Sequence, residues 1–209
     1  MSTKLTVASL LAVAIAAPAA ADITISLGAS APTYSTTLTF DEPGTPTGVV
    51  PASTWVSTHG VDIGGGDGQS VVDNFSVNPG QGWLGTGNAF LGNFGVFMTF
   101  ENDLTDFSSQ VWDPSGAPSP FGGGAVVFLF DDGVEVANFA FTPSWGGVGD
   151  EWINITATGG MVFDDVRILG FGFQPLTHID NASWNAVPTP ASAALIGLAG
   201  LVSTRRRRA

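Results

Sequence analysis

Short runs of β-branched and aromatic residues recur along the chain between clusters of Gly, Pro, Asn and Asp, and no stretch keeps apolar positions three and four apart over a dozen residues. The pattern predicts strands. In Tyr34 to Phe40, residues Tyr34, Thr36, Leu38 and Phe40 share one face and Ser35, Thr37 and Thr39 the other, the alternation of a half-buried strand. Val96, Met98 and Phe100 alternate in the same way, as do Phe107, Ser109 and Val111. Ala125 to Phe130 is a continuous apolar run, which predicts a strand buried on both faces. Asp131-Asp132-Gly133 then separates it from Val134 to Phe141, and an Asp-Gly between two strand-like runs predicts a tight hairpin. Trp152 to Ala157, Val162 to Leu169 and His178 to Trp184 supply three more strands. The fold class that follows is all-β: a single two-layer antiparallel β-sandwich of jelly-roll type. The glycine clusters at Gly64 to Gly68, Gly80 to Gly87, Gly122 to Gly124 and Gly146 to Gly149 read as loops between strands.

The two ends obey a different logic. Lys4, an apolar run from Leu5 to Ala16, and Ala19-Ala20-Ala21 before Asp22 follow the order of a secretory signal cleaved after Ala21. Pro18 breaks that run short of the roughly 20 apolar residues of a membrane span. At the other end come Val187-Pro188-Thr189-Pro190, an apolar stretch from Ala193 to Val202, and four arginines, Arg205, Arg206, Arg207 and Arg208. The arginines would hold the terminus on the cytoplasmic side, and the short apolar helix expected before them suits a transient membrane anchor. The chain thus divides into a signal helix (1–21), a β-sandwich ectodomain (22–186) and a sorting segment (187–209).

The Pro-x-Pro motif, short apolar helix and arginine cluster of residues 187 to 209 resemble the PEP-CTERM sorting signal, which exosortase-type enzymes recognise and cleave. The glutamate usual between the prolines is Thr189 here, which bears on the subtype of the processing enzyme. This resemblance implies an exosortase-type partner, contact with the membrane before processing, and residence at the cell surface or in extracellular matrix. Met98-Thr99-Phe100, Phe128-Leu129-Phe130-Asp131-Asp132-Gly133 with Phe139-Ala140-Phe141, and Ile179-Asp180-Asn181-Ala182-Ser183-Trp184 occur in an order that resembles an ectodomain of such proteins. That ectodomain is related to galactose-binding-like and carbohydrate-binding jelly rolls.

Charge narrows the partners. Between residues 22 and 186, 18 acidic side chains face one basic residue, Arg167, a net charge of −17. Nucleic acid is excluded, since phosphate binding rests on Lys and Arg. An absence of cysteine leaves the fold to its hydrophobic core, which 165 residues can supply.

Calcium is the cofactor this acidity suggests, through Asp41 and Glu42 after the Tyr34–Phe40 strand and Asp180 on the last strand. The competing reading is a solvated turn at Asp41-Glu42-Pro43 and a strand-end cap at Asp180-Asn181. Asp62, Asp67 and Asp73 form a second, weaker set that matches no 12-residue calcium loop. For sugar binding, Trp83 and Trp145 lie in glycine-rich loops where an indole could stack on a pyranose, with Asn88 accepting hydroxyls. The competing reading is that these tryptophans close the end of the core. Trp55, Trp112, Trp152 and Trp184 border or occupy strands and read as packing. No catalytic residues are assigned: nucleophile-elbow, zinc-protease, Walker and dinucleotide motifs are lacking, and His59 and His178 are the only histidines. Asp131-Asp132 and Asp164-Asp165 are sequence neighbours, so on strands they would face opposite ways. The sequons at Asn74, Asn154 and Asn181 read as chance beside a bacterial-type tail. The readings left standing are a non-catalytic surface protein, a carbohydrate-binding module stabilised by calcium, and a glycoside-active enzyme.

Overall fold

The structure, a computed structural model, describes residues 21–74, 87–112, 124–141, 152–171 and 176–187. Both terminal segments, and with them the expected signal helix and the expected apolar helix of the tail, lie outside the described residues. Those described form strands β1 (Asp22–Gly28), β2 (Thr36–Leu38), β3 (Gly48–Val50), β4 (Val61–Gly65), β5 (Ser70–Asn74) and β6 (Asn88–Asn93). They continue with β7 (Val96–Trp112), β8 (Gly124–Asp131), β9 (Val134–Phe141), β10 (Trp152–Thr158), β11 (Phe163–Phe171) and β12 (Leu176–Ala186). A single turn of 3₁₀ helix, Ala52–Trp55, runs into the four-residue helix α1, Val56–His59. The fold is an all-β antiparallel sandwich, as the periodicity predicts.

Strand β7 builds both layers. Its first part pairs with β4 and β11, and β11 continues to β8 and β9. Its second part pairs with β10, which carries β1 on its far edge, and with β12, which leads to β6, β5 and β3. The handover falls around Leu104, where β11 and β12 both shift register against β7. Bulges bend a strand and sharpen its twist, and they let one strand serve two sheets here. The sequence pattern splits this span into two strands, Val96–Phe100 and Phe107–Val111; the polar Glu101-Asn102-Asp103 between them is the bend of a continuous strand.

Alternation fixes what faces inward. Val96 and Met98 on β7, Val127 and Leu129 on β8, Ile153 and Ile155 on β10, and Val166 and Ile168 on β11 are fully buried in one core. Each such side chain contributes about 1.5–3 kcal/mol on burial. Trp55 and Trp184 belong to that core, as expected of strand-bordering tryptophans, and Trp152 is half-buried.

Two expectations are corrected. Ala125–Phe130 is not buried on both faces: Val127 and Leu129 point into the core, whereas Phe128 and Phe130 are half-exposed on the outer face. On that outer face Val126 is buried, and the Phe130 ring has its own partner, the Arg167 guanidinium 4.2 Å from its centroid. Gly64 to Gly68 is not wholly a loop, since Gly64 and Gly65 close β4 against Phe97 and Val96. Gly65 sits there because an added Cβ would collide with the backbone of Gln69.

The hairpin between β8 and β9 has the turn its sequence predicts. Asp132 and Gly133 both adopt left-handed backbone, at φ 49° and 78°, between the paired Asp131 and Val134. No atom crowds a Cβ added at Gly133, so Gly133→Ala tests conformation alone. It is expected to cost about 1 kcal/mol, read as a lower urea midpoint at unchanged slope.

Candidate functional site

The last strand is shared by two short neighbours, and the site lies where they meet. Residues Leu176 to Ile179 of β12 pair with β6, and Ala182 to Trp184 pair with β2. Between them Asp180 and Asn181 form a bulge against β7, with Asn181 at φ 50°. They therefore do not cap a strand end. The Asn181 N–H donates to Asp180 Oδ1 at 2.6 Å, and Asn181 Nδ2 donates to Gln110 Oε1 at 2.6 Å.

The chain leaving β2 is steered onto this bulge. Phe40 takes a left-handed φ of 59°, unusual for a non-glycine residue, while its ring is fully buried against Trp55 and Phe90 at centroid distances of 5.3 and 5.9 Å. The turn that results brings Asp41 and Glu42 to the start of β6. There the Asn88 N–H donates to Asp41 Oδ1 at 2.7 Å, and Asn88 Nδ2 donates to the Phe40 carbonyl at 2.9 Å. Glu42 Oε1 accepts from the Thr39 N–H at 2.7 Å and the Thr39 hydroxyl at 3.0 Å.

These bonds leave two buried oxygens, Glu42 Oε2 and Asn88 Oδ1, with no hydrogen-bond donor. Buried acceptors are ordinarily satisfied, and an orphan costs about 1–3 kcal/mol. Beside them Asp180 is pushed up to about 7, first by burial and then by the negative charges of Asp41 and Glu42, against the opposing Asn181 N–H. The result is an oxygen-rich seam with a surplus of acceptors and of negative charge, the donor chemistry of a hard divalent cation. Among the described residues, no three His, Asp or Glu side chains converge closely enough to hold a metal by themselves. An ion here would therefore draw on the Asn88 amide oxygen and carbonyls as well as carboxylate.

Of the three carboxylates proposed for calcium from sequence, Asp41 and Glu42 follow one another in the turn after β2, and Asp180 is near enough to feel their charge, but the three do not converge into a metal-holding group. Asn88, proposed from sequence as a sugar contact, bonds the Asp41 carboxylate and the Phe40 carbonyl there. Trp83 and Trp145 lie outside the described residues, as do Pro188, Thr189, Pro190 and Arg205 to Arg208; Val187, the last residue described, donates its N–H to the Asp103 carbonyl at 2.7 Å. In the second acidic set Asp67 spends its carboxylate on the Gln69 N–H and the Asn93 amide at 2.9 Å each, which lowers its pKa, and Asp62 is exposed on β4; the Asp73 side chain lies outside what the structure describes.

A cleft of about 160 Å³ adjoins the seam, lined by Glu42, Pro46, Thr54, Trp55, Thr58 and His59. His59 Nδ1 lies 2.9 Å from the Thr58 hydroxyl. His178 is a core residue, held neutral by burial with its pKa lowered to about 3. Of the acidic neighbours, Asp165 forms a bidentate pair with Arg167, and Asp131 and Asp164 are both pushed up, first by burial, then by the charges of Asp103 and Asp132 on Asp131 and of Asp131 and Asp132 on Asp164.

No family model matches the chain, and no curated protein is similar to it. Among solved structures it is similar in part to a glycoside hydrolase family 43 arabinoxylan arabinofuranohydrolase from Bacillus subtilis in complex with cellotetraose, at 17% identity and a TM-score of 0.33. That match covers 57% of this chain and 25% of the hydrolase, so this chain spans about a quarter of that protein's length. A family 6 carbohydrate-binding module is similar at 11% identity and a TM-score of 0.30, over 68% of this chain and 95% of the module.

Proposed function

We propose that this chain is an exported, non-catalytic surface protein whose β-sandwich is a calcium-stabilised module that binds extracellular polysaccharide. The observation that carries the reading is the seam of β2, β6 and β12, where Glu42 Oε2 and Asn88 Oδ1 are buried without donors beside Asp180. A cation there would tie the two short strands to the last one, a role in stability with no chemistry attached. Two features support polysaccharide as the ligand. The net charge of −17 removes polyanions from consideration, and Trp83 and Trp145 stand among glycines as stacking surfaces. Export and exosortase-type sorting rest on the signal-like first 21 residues and on Val187-Pro188-Thr189-Pro190 with the terminal arginines. In this reading the tail contacts the membrane only until it is processed.

The test is binding of the purified protein to a panel of bacterial and algal polysaccharides, with calcium and again with chelator. Saturable binding that weakens in chelator is the expected result. A protein that binds none of them, and whose melting temperature ignores calcium, would sink the reading.

A further inference from the structure

Four described residues other than glycine adopt left-handed backbone: Phe40, Phe94, Asp132 and Asn181. Three have a reason. Asp132 and Asn181 are residue types that tolerate this conformation, and Phe40 is held in it by a fully buried ring. Phe94, at φ 59° in the turn from β6 to β7, has neither reason: it is bulky, and 55% of it is exposed. Of the exposed large apolar side chains among the described residues, Leu27, Val49, Phe94 and Val134, it is the one aromatic. The backbone strain and the exposed ring both count against stability, and glycine at this position would remove both. The base that carries the ring is nonetheless well tied. The turn from β4 to β5 interlocks with it: the Gly66 N–H donates to the Gly95 carbonyl at 3.2 Å and the Asp67 N–H to the Asn93 carbonyl at 3.3 Å. Asn93 Nδ2 donates to Asp67 Oδ2 and the Gln69 N–H to Asp67 Oδ1, both at 2.9 Å. Gly66 lies so close that an added Cβ would collide with the Phe94 carbonyl.

We infer that Phe94 is a contact residue for a neutral polysaccharide, its ring the stacking surface and Asp67, Gln69 and Asn93 the polar rim. The inference rests on the polysaccharide-binding reading above and names residues for it. Strain held at an exposed position marks a residue kept for what it touches. The rim selects what that is. Each Asp67 oxygen accepts one N–H and keeps a lone pair, so the carboxylate calls for further donors. Its charge, within a domain of net −17, repels an anionic polymer. A cationic side chain would gain little, since Asp67 is already engaged twice and open to water. A neutral pyranose suits every group present. Its C–H face lies on the phenyl ring, its hydroxyls donate to Asp67, and the neutral amides of Asn93 and the exposed Gln69 both donate and accept.

The experiment is isothermal titration of the full chain with neutral glucan, xylan and galactan oligosaccharides, an anionic polysaccharide and an oligolysine peptide, with a melting curve for each protein. The native protein is compared with Phe94→Gly and Phe94→Trp. Phe94→Gly is expected to melt no lower than the native protein, because the strain is relieved, and to bind a neutral oligosaccharide roughly tenfold more weakly or worse. Phe94→Trp keeps an aromatic face and is expected to keep the binding. Loss of affinity without loss of stability separates a contact residue from a structural one. If the native protein binds and Phe94→Gly binds equally well, the inference fails and the wider reading survives. If Phe94→Gly melts well below the native protein or does not fold, the ring is packing and the inference fails. If the peptide or the anionic polymer is the ligand whose binding depends on Phe94, a neutral sugar is not its occupant and the inference fails likewise. If the native protein binds nothing, the wider reading fails with it.

Discussion

In chelator, Asp180→Asn is expected to gain up to about 4 kcal/mol of stability relative to the native protein between pH 4 and pH 8, and calcium is expected to erase that gain. The folded carboxyl of Asp180 is raised to about 7, some three units above an ordinary aspartate, and each unit is about 1.36 kcal/mol. Across the window from about 4 to about 7 the folded state keeps a proton that the unfolded chain has released. Stability is therefore full below about 4 and falls as pH climbs through about 7. His178 works in the opposite sense: its folded pKa of about 3 means that stability is lost as pH falls below about 6.5. The difference between native and Asp180→Asn proteins removes that contribution. Asp131 and Asp164 are raised in the same direction as Asp180 and are common to both proteins, so they cancel too. A cation favours the ionised carboxylate and so reverses the sense of the effect for the native protein alone. The measurement is denaturant unfolding at pH 4, 6 and 8 with chelator and with calcium. Parallel pH profiles for the two proteins in chelator would show that Asp180 is not a destabilised carboxyl and that the seam does not call for an ion.

The strands were legible wherever side chains alternate between core and water. Val96, Met98 and Phe100 announce themselves because their neighbours are polar or exposed, and the Asp132-Gly133 turn is local chemistry that sequence states outright. Phe128 and Phe130 misled because apolarity along a chain does not say which face is covered. Their partner, Arg167, is 37 residues beyond Phe130 in sequence and becomes adjacent only through the β8–β11 register. The short strands β3, β5 and β6 carry too few residues for a period to emerge, and β1 was obscured by its proximity to the signal segment. The carboxylates of the seam were legible as residue types at the two strands expected to meet. What could not be read was the role of Asn88, set by the left-handed Phe40 and by Gly87, where any side chain would overlap the Asp41 carboxylate. Both are consequences of packing at a distance.

That packing leads to the second large effect, at Phe90. Its ring is fully buried, 5.9 Å from Phe40 and 6.0 Å from Trp55, in a three-ring cluster where Trp55 meets each phenyl edge-on. Phe90→Ala is expected to cost about 3–5 kcal/mol, through lost burial and the cavity left behind, and to lower the melting temperature by roughly 10 °C. The same change should weaken the response to calcium. Phe90 stands two residues from Asn88 on β6 and pairs directly with Ile179 beside Asp180. Phe40, which it supports, presents the carbonyl that orients the Asn88 amide. Ile155→Val on β10, in the same core but away from the seam, is the matched control, with an expected cost of about 0.5–1.5 kcal/mol and an undiminished calcium response. Calcium-dependent melting of both variants separates the two consequences. If Phe90→Ala loses stability by the expected amount but keeps the native calcium shift, the aromatic cluster holds the core without positioning the site. If it loses both, the left-handed Phe40 is held by its ring in the shape the seam requires, and the core and the cation site are one structure.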